Sequence, residues 1–399
     1  MASKTAVLAF SGGLDTSFCV LALKQAGWRV ATVTAQTGGF DAAEVARIEA
    51  RAKELGVAKH RTVDARAALF ERVLTHLIRG NVLKGARYPL SVAAERVVTA
   101  EAVARAAREE GAGAIAHGST GAGNDQIRFD IAFAALAPDL PVLTPIRDGN
   151  LQRDTTAKAL RDAGFQVAAN TQTYSVNQGL WGTTVGGGAT HDPSSEIPQE
   201  VYGDREASPD RPLDLTIDFE TGIPVGQNGK RREAVALLTD LNEIGTRYRV
   251  GRGIHVGQTI LGFTGRIAFA APSALVLIEA HRELTKLTHT AEQLRAIDAL
   301  AATYGALLHE GRFWDPVMRD IEAFLAHADR RANGAVRVRL HPHRFEIVSA
   351  QSPDALGARS GAKYGESAGG WGAEGPKGFS HFLGMPGRLA ALREQGGKS

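Results

Sequence analysis

Cysteine, long apolar runs and an excess of either charge are all scarce in this sequence of 399 residues. The one cysteine, Cys19, cannot form an internal disulfide or a thiolate metal cage, which is typical of a protein in the reducing cytoplasm. No apolar run approaches the roughly 18 residues that span a bilayer, so we expect no membrane contact. There are 46 basic and 43 acidic residues, an excess too small to predict a nucleic-acid partner.

Short apolar strands alternate with helical patterns through about the first 165 residues. The predicted strands are Thr5–Phe10, Val30–Ala35, Arg61–Val63, Ala114–His117 and Val142–Leu143. Strands that alternate with helices predict an α/β fold with a parallel sheet covered on both faces. In such folds ligands bind at the carboxyl ends of the strands.

The pattern changes after about residue 170, where we predict a second, mixed α+β domain. Gly179–Ser195 is rich in glycine, threonine and serine and predicts loops, Leu213–Phe219 alternates as a strand does, and Asn228-Gly229 is typical of a hairpin turn. A long helical pattern runs over His289–His309. Near the end a glycine-rich arm leads to a short predicted helix, Pro386–Leu392, with proline in its first turn. That helix either packs on another subunit or is a frayed terminus.

The first motif with chemical meaning is AFSGGLDTS at residues 9–17, here named the phosphate loop. Gly12 and Gly13 let the backbone approach an anion, and the amides of the helix that follows hold phosphate oxygens. Hydroxyls of Ser11, Thr16 and Ser17 add donors. An ordinary turn before a capped helix is the alternative, but the preceding strand and the three hydroxyls favour phosphate binding. The Walker pattern G-x-x-x-x-G-K-[ST] is absent.

The second motif, HGSTGAGNDQIRFD at residues 117–130, is here named the polar loop. Asp125 can bind an ammonium group, Thr120 and Asn124 offer donors to a carboxylate, and Arg128 can bind another carboxylate in bidentate fashion. Such a set suits a zwitterion. Asn124 or Asp125 could instead cap the following helix, and capping is compatible with binding.

The phosphate loop resembles the SGG-x-D-[ST] loop of the ATP pyrophosphatase superfamily, whose members cleave ATP between the α- and β-phosphates. Together with the polar loop it is similar to the motif pair of the argininosuccinate synthase family. Segments further along agree in order: Tyr174-Ser175, GIPV at 222–225, LNEIG at 241–245 and GRFW at 311–314. The resemblance covers nearly the whole chain.

The resemblance implies an ATP pyrophosphatase-type domain over residues 1–168, a synthetase domain over 169–355, and a glycine-rich arm with an oligomerisation helix over 356–399. It implies a ligase that joins citrulline and aspartate in arginine biosynthesis through a citrullyl-adenylate, with release of AMP and pyrophosphate. ATP with Mg²⁺ and a homotetrameric assembly are implied as well. The reaction requires little acid–base catalysis by side chains, so we assign no single catalytic base, and we predict no metal site built by the protein alone.

Site residues carry over from the family by position. ATP would contact Ala9, Phe10, Ser11, Gly12, Gly13, Leu14, Asp15, Thr16, Ser17, Ala35 and Gly118; aspartate would contact Thr120, Asn124 and Asp125; citrulline would contact Tyr88, Asn124, Arg128, Ser175 and Thr184, the last replacing a family serine. Asp15 is either a Mg²⁺ or phosphate-loop residue or a helix cap.

Three positions depart from the family, all in the expected citrulline pocket. Gly257 stands where the family has glutamate, Phe269 where it has tyrosine, and Ala93 where it has serine. We predict that citrulline remains the substrate because nearby groups take over these contacts, the candidates being Gln258, Arg252, His255 and Thr259. The alternative is a modified ureido substrate whose α-amine is absent or acylated.

Two other functions compete with this interpretation. A tRNA-modifying ATP pyrophosphatase that transfers sulfur usually needs paired reactive cysteines, which Cys19 alone cannot supply. A nucleotide sensor without catalysis would not need the polar loop. Cys19 itself lies among apolar residues of the first helix and predicts a core position, and the pair His341 and His343 lacks the partners of a metal site.

Overall fold

The structure is a computed structural model that describes residues 4–167, 174–202, 208–366 and 369–396. The chain divides into two compact units, Met1–Ser352 and Pro353–Ser399. The predicted domain boundary at residues 168 and 169 lies outside the described residues. Among the helices in those ranges, none combines the length and the apolar character needed to cross a bilayer.

A parallel sheet forms the first part of the larger unit. Its strands are β1 (Thr5–Ala9), β2 (Arg29–Gln36), β3 (Lys59–Asp64), β4 (Ala114–Ala116) and β5 (Val142–Leu143). They are arranged in the order β3-β2-β1-β4-β5, every pair parallel. The predicted α/β class and all five predicted strands are confirmed. Because the strand order reverses beside β1, a crevice for ligands is expected at the carboxyl ends of β1 and β4.

The helices in this part of the chain are α1 (Leu14–Gln25), α2 (Ala42–Glu54), α3 (Arg66–Leu69), α4 (Thr75–Arg79), α5 (Ser91–Glu109), α6 (Asp125–Leu136), α7 (Pro145–Asp148) and α8 (Arg153–Asp162). Those that pack on the sheet, among them α1, α2, α5, α6 and α8, cover both of its faces. A π-helical turn, Phe70–Leu74, joins α3 to α4. Successive side chains of a strand point to opposite faces. Val7 accordingly packs in a cluster with α5 and α6, and Leu8 packs in a cluster with α1, α2 and α8. Cys19 lies buried in the second of these clusters, as predicted.

In its described residues, the rest of the larger unit holds two antiparallel sheets and four α-helices. Its elements are β6 (Tyr174–Gly179), β7 (Gly182–Gly187), β8 (Leu213–Glu220), β9 (Ile223–Gln227), β10 (Lys230–Arg231), α9 (Ala234–Arg247), β11 (Arg252–Gln258), β12 (Thr264–Ala270), α10 (Pro272–Thr288), α11 (Ala291–Glu310), α12 (Pro316–Ala328), β13 (Gly334–His341) and β14 (Arg344–Gln351). Within the described residues the sheet orders are β10-β9-β8-β13-β14 and β11-β12-β7-β6. Asn228 and Gly229, both at positive φ, turn the chain between β9 and β10, which confirms the predicted hairpin.

Three local predictions are wrong. Much of Gly179–Ser195, predicted as loops, forms the hairpin of β6 and β7. Glycine is needed there for close packing and not for a loop, because a Cβ at Gly182 would lie 2.6 Å from the Cβ of Ala271. His289 is not helical, since it follows α10 and Thr290 then opens α11 with a capping box.

The third error concerns the smaller unit, where α13 (Glu374–Gly396) begins twelve residues before Pro386. Because proline removes one helical hydrogen bond, local propensity predicted that the helix begins at Pro386. In the structure Pro386 lies inside the helix, which is longer than predicted. Large apolar side chains of this helix are exposed, among them Phe382 at 70% and Leu389 at 60%.

Candidate active site

A cavity of about 1670 Å³ opens where β1, β2 and β4 end. Every residue carried over from the family lines it: Ala9, Phe10, Ser11, Gly12, Gly13, Leu14, Asp15, Thr16, Ser17, Ala35, Tyr88, Gly118, Thr120, Asn124, Asp125, Arg128, Ser175 and Thr184. Of the four candidates for replacement contacts, His255, Gln258 and Thr259 line it too, whereas Arg252 does not. Pockets for one drug-sized ligand measure about 300–1,000 Å³. This cavity therefore has room for more than one substrate at a time.

The phosphate loop has the backbone geometry that an anion site needs. Gly12 has φ +69°, and a Cβ there would lie 3.0 Å from Cγ1 of Ile48. Gly13 is the residue before α1, and no side chain caps that helix. The amide groups of its first turn therefore point toward the loop with the positive end of the helix dipole. The hydroxyl oxygens of Ser11 and Thr16 lie 3.2 Å apart beside them.

Asp15 lies in the first turn of α1 but does not cap it. Burial raises the pKa of its carboxyl group, and the charge of Arg153 opposes that shift. Ser17 is also engaged, because its hydroxyl accepts a 3.2 Å hydrogen bond from Nε of Arg51. The capping alternative for Asp15 is thus not what the structure shows.

The polar loop leads into α6 and presents Asp125 between two arginines. One carboxylate oxygen accepts a 2.9 Å hydrogen bond from Nε of Arg96, and the other accepts one of 2.9 Å from Nη1 of Arg128. Burial acts to raise the pKa of Asp125, but the two guanidinium groups hold it below its usual value. A carboxylate has about four acceptor sites, so this ionised group can still accept an ammonium donor. Asn124 does not cap α6; its side-chain oxygen accepts a 2.9 Å bond from the amide of Ile260.

Arg128 is held from its other side by His309. Its Nε donates to the carbonyl oxygen of His309 at 2.9 Å, and its Nη2 lies 3.2 Å from Nδ1 of the same residue. Burial and the charge of Arg128 lower the pKa of His309 to about 3, so the imidazole is neutral and its Nδ1 accepts. The guanidinium is therefore fixed in orientation before any substrate binds.

A buried group of hydroxyls lies where the citrulline contacts are predicted. The hydroxyl oxygens of Tyr88 and Thr184 are 3.1 Å apart, and Ser91 lies 3.1 Å from Thr184 and 3.3 Å from Tyr88. Sequence reasoning missed Ser91. The predicted contact Ser175 lies exposed on β6 and lines the same cavity.

Comparison with known proteins finds one family that matches both parts of the chain. A model of the arginosuccinate synthase N-terminal HUP domain matches residues 5–165, and one of the arginosuccinate synthase C-terminal domain matches residues 174–390. The argininosuccinate synthase of Xanthomonas campestris pv. campestris is 39% identical over 98% of this chain and 99% of its own length. The argininosuccinate synthase of Pyrococcus furiosus is 36% identical over 96% of this chain and 93% of its own. The chain belongs to the argininosuccinate synthase family.

A more distant likeness adds nothing to this assignment. Among solved structures, an NH3-dependent NAD synthetase from Campylobacter jejuni matches 42% of this chain and 66% of its own, with 12% identity and a TM-score of 0.31. That score is too low to carry an argument about the site.

The three positions predicted to depart from the family pattern lie in different surroundings. Ala93 and Phe269 are buried in the core and do not line the cavity, whereas Gly257 does. The hydroxyl of Ser91 stands two residues before Ala93, in the same group as Tyr88. Like Ala93, Ser91 is buried and does not line the cavity, so its hydroxyl supports Tyr88 and Thr184 and does not contact a ligand directly.

Sequence reasoning also missed two charged residues of this synthase site, Glu95 and Arg96. Arg96 donates to Asp125 and, through Nη2, to the side-chain oxygen of Asn177 at 2.9 Å. Glu95 is buried, and burial raises the pKa of its carboxyl group to about 7 against the charge of Arg96. One signal was available, because the two residues interrupt an otherwise apolar helical pattern, SVAAERVV.

Proposed function

We propose that the protein is an AMP-forming ligase that condenses citrulline with aspartate, at the expense of ATP, in arginine biosynthesis. One observation carries the proposal: the phosphate loop, the ionised Asp125 and the hydroxyl group of Tyr88 and Thr184 face the same cavity. A nucleotide, an amine and a polar ureido compound can thus meet there. Family membership supports it and disfavours tRNA modification.

The reaction has two steps. The ureido oxygen of citrulline attacks the α-phosphorus of ATP, which forms a citrullyl-adenylate and releases pyrophosphate. The amine of aspartate then attacks the activated ureido carbon and expels AMP. The nucleophile of the first step is already reactive and AMP leaves readily, so alignment and charge stabilisation supply most of the catalysis. The aspartate ammonium loses a proton before it attacks, and no residue is assigned as the base for that proton.

Each part of the cavity has a proposed role in these steps. The amides of the phosphate loop and residue Gly118 hold the nucleotide and the departing pyrophosphate, while Thr120, Asn124 and Asp125 hold aspartate. Citrulline contacts a further set, which is Tyr88, Asn124, Arg128, Ser175 and Thr184. Orientation by Asp125 and His309 gives Arg128 two fixed N–H groups for a carboxylate.

Mg²⁺ fits this site as a companion of ATP. Mg²⁺ is usually bound by one or two carboxylates together with substrate phosphates, and Asp15 is the carboxylate of the phosphate loop. Its burial raises its pKa, so a cation would stabilise its ionised form. Bound there, Mg²⁺ would neutralise the charge of the phosphates.

We propose a cytoplasmic homotetramer in which α13 packs on another subunit. The support is the exposed apolar surface of that helix, which includes Phe382, Leu389 and Leu392. The single cysteine, Cys19, supports the location, because a chain that cannot form an internal disulfide suits a reducing compartment.

Product analysis tests the function directly. The protein is incubated with ATP, Mg²⁺, aspartate and citrulline, and each is omitted in turn while pyrophosphate release and the condensed product are measured. We expect stoichiometric AMP, pyrophosphate and argininosuccinate only in the complete mixture. Pyrophosphate release that is independent of both amino acids would contradict the proposal.

A further inference from the structure

Basic residues that the proposed reaction leaves without a role line the cavity beside Arg128. They are Lys84 and His255. The ammonium of Lys84 donates a 3.1 Å hydrogen bond to the carbonyl oxygen of Gln258, and the described residues offer it no ion pair. A half-buried cation with a single neutral acceptor is incompletely compensated for its lost hydration, so an anion bound beside it would be stabilised.

His255 lies next to Lys84 in a space that two glycines keep free. A Cβ at Gly257 would lie 2.7 Å from its Nε2, and a Cβ at Gly85 would lie 3.1 Å from its Cε1. The imidazole stacks on the ring of Tyr88 with 5.6 Å between centroids. Its Nε2 is buried and has no hydrogen-bond partner among the described residues. The imidazole therefore occupies the place of a side chain at position 257, and because its Nε2 is buried, Nδ1 is the nitrogen that faces a ligand.

Electrostatics on this side of the cavity favour an anion. Burial and the charge of Arg128 lower the pKa of Lys84 to about 8, against the opposing charge of Glu310. Burial and Lys84 also lower the pKa of His255, which leaves the imidazole neutral at pH 7. Asp125, the carboxylate nearby, is already bound by two guanidinium groups.

We propose that Lys84 and His255 bind the carboxylate of the ureido substrate. The inference rests on the proposed function and deepens it, because it says which group of the substrate is recognised. Lys84 supplies a charge and His255 supplies an N–H donor, and both lie beside the two N–H groups of Arg128 that Asp125 and His309 leave free. With no free carboxylate of the described residues on this side, the α-ammonium of the substrate contributes little to binding.

Lys84→Met tests the subsite with a matched control. We expect the KM for citrulline to rise at least tenfold, with the KM values for ATP and aspartate within about twofold of the parent. Lys24 is the control, because its ammonium also donates to backbone carbonyls but lies outside the cavity. Lys24→Met should leave the KM for citrulline unchanged. His255→Phe keeps the stacking on Tyr88 and should raise that KM about threefold or more.

Substrate analogues separate the two ends of the zwitterion. In the parent protein citrullinamide, which lacks the carboxylate, should lose at least tenfold in kcat/KM, and N-acetylcitrulline should stay within about threefold of citrulline. In Lys84→Met the difference between citrulline and its amide should shrink, since the group that senses the carboxylate is gone. Full discrimination against the amide in that variant, or rejection of N-acetylcitrulline alone, would overturn the inference.

The pH profile provides a readout that a structural role would not move. Lys84 is charged below about pH 8 and loses its charge above it, so the KM for citrulline should rise above pH 8. The other groups that face Lys84 are Arg128, Glu310, His255 and His309, and the pKa values of the two imidazoles are lowered, so both imidazoles stay neutral above pH 7. Lys84→Arg should remove this rise, and an unchanged profile in that variant would contradict the assignment.

Failure of the proposed function gives a different result. If the parent released no pyrophosphate with any of the three ureido compounds, the function would be wrong. Calorimetric titration with citrulline and citrullinamide would still decide the subsite. Tighter binding of the acid by the parent but not by Lys84→Met supports it, and equal binding of acid and amide by the parent refutes it.

Discussion

Replacing Asp125 with asparagine should separate the two chemical steps. The variant keeps the size and one acceptor oxygen of Asp125 but loses the charge that would hold the aspartate ammonium. A hydrogen bond to a charged group contributes about 1.5–3 kcal/mol, so ligation should fall roughly 10- to 150-fold. Arg128 keeps its two contacts to His309, so the citrulline side of the cavity should remain in place.

The assay compares exchange of labelled pyrophosphate into ATP, in the presence of citrulline alone, with formation of the ligated product. We expect exchange within about threefold of the parent and a much larger loss of ligation. Asp130→Asn is the control, because Asp130 follows on the same helix and pairs with His117 and Arg147 but does not line the cavity.

Stability must be measured in parallel. Removing one partner of a buried ion pair can lower the free energy of unfolding by about 3–5 kcal/mol, and Asp125 pairs with both Arg96 and Arg128. Asparagine should limit this loss because it still accepts a hydrogen bond. If exchange and ligation fall equally in a variant that is still folded, Asp125 supports adenylation and the assignment to aspartate is refuted.

Three further predictions concern the loop, the pH dependence and the assembly. Gly12→Ala should lower the free energy of unfolding by about 1–2 kcal/mol and weaken ATP binding, because φ is +69°, whereas Gly13→Ala at φ −80° should change unfolding by less than about 0.5 kcal/mol in the same denaturation assay. Glu95→Gln should raise the free energy of unfolding by about 1–3 kcal/mol at pH 8 but leave it unchanged at pH 4.5. The pKa of Glu95 is about 7 in the folded protein and 4.5 ordinarily, so the parent protein loses stability as the pH rises from 4.5 to 7, and the glutamine variant does not. Replacing both Phe382 and Leu389 with serine should reduce the mass measured by light scattering, and an unchanged mass would count against α13 as the subunit contact.

The fold and the phosphate loop could be predicted because they depend on neighbours in the chain. Five short apolar strands, the two glycines after the first strand and the Asn228-Gly229 turn are each defined within a few residues. The prediction of loops over Gly179–Ser195 was wrong, since Gly182 is required by its contact with the distant Ala271 and not by a local turn.

Long-range contacts account for what local pattern could not supply in the site. Arg96 comes 29 positions before the Asp125 that it binds, and Ser91 meets Thr184 across 93 positions. Lys84 and His255 come together only because β11 brings Gly257 and Gln258 to the cavity where α6 begins. Local sequence thus determines which elements form and where the phosphate loop lies. The charged pairs of the substrate site depend on tertiary packing, because folding brings together side chains that no periodicity or motif relates.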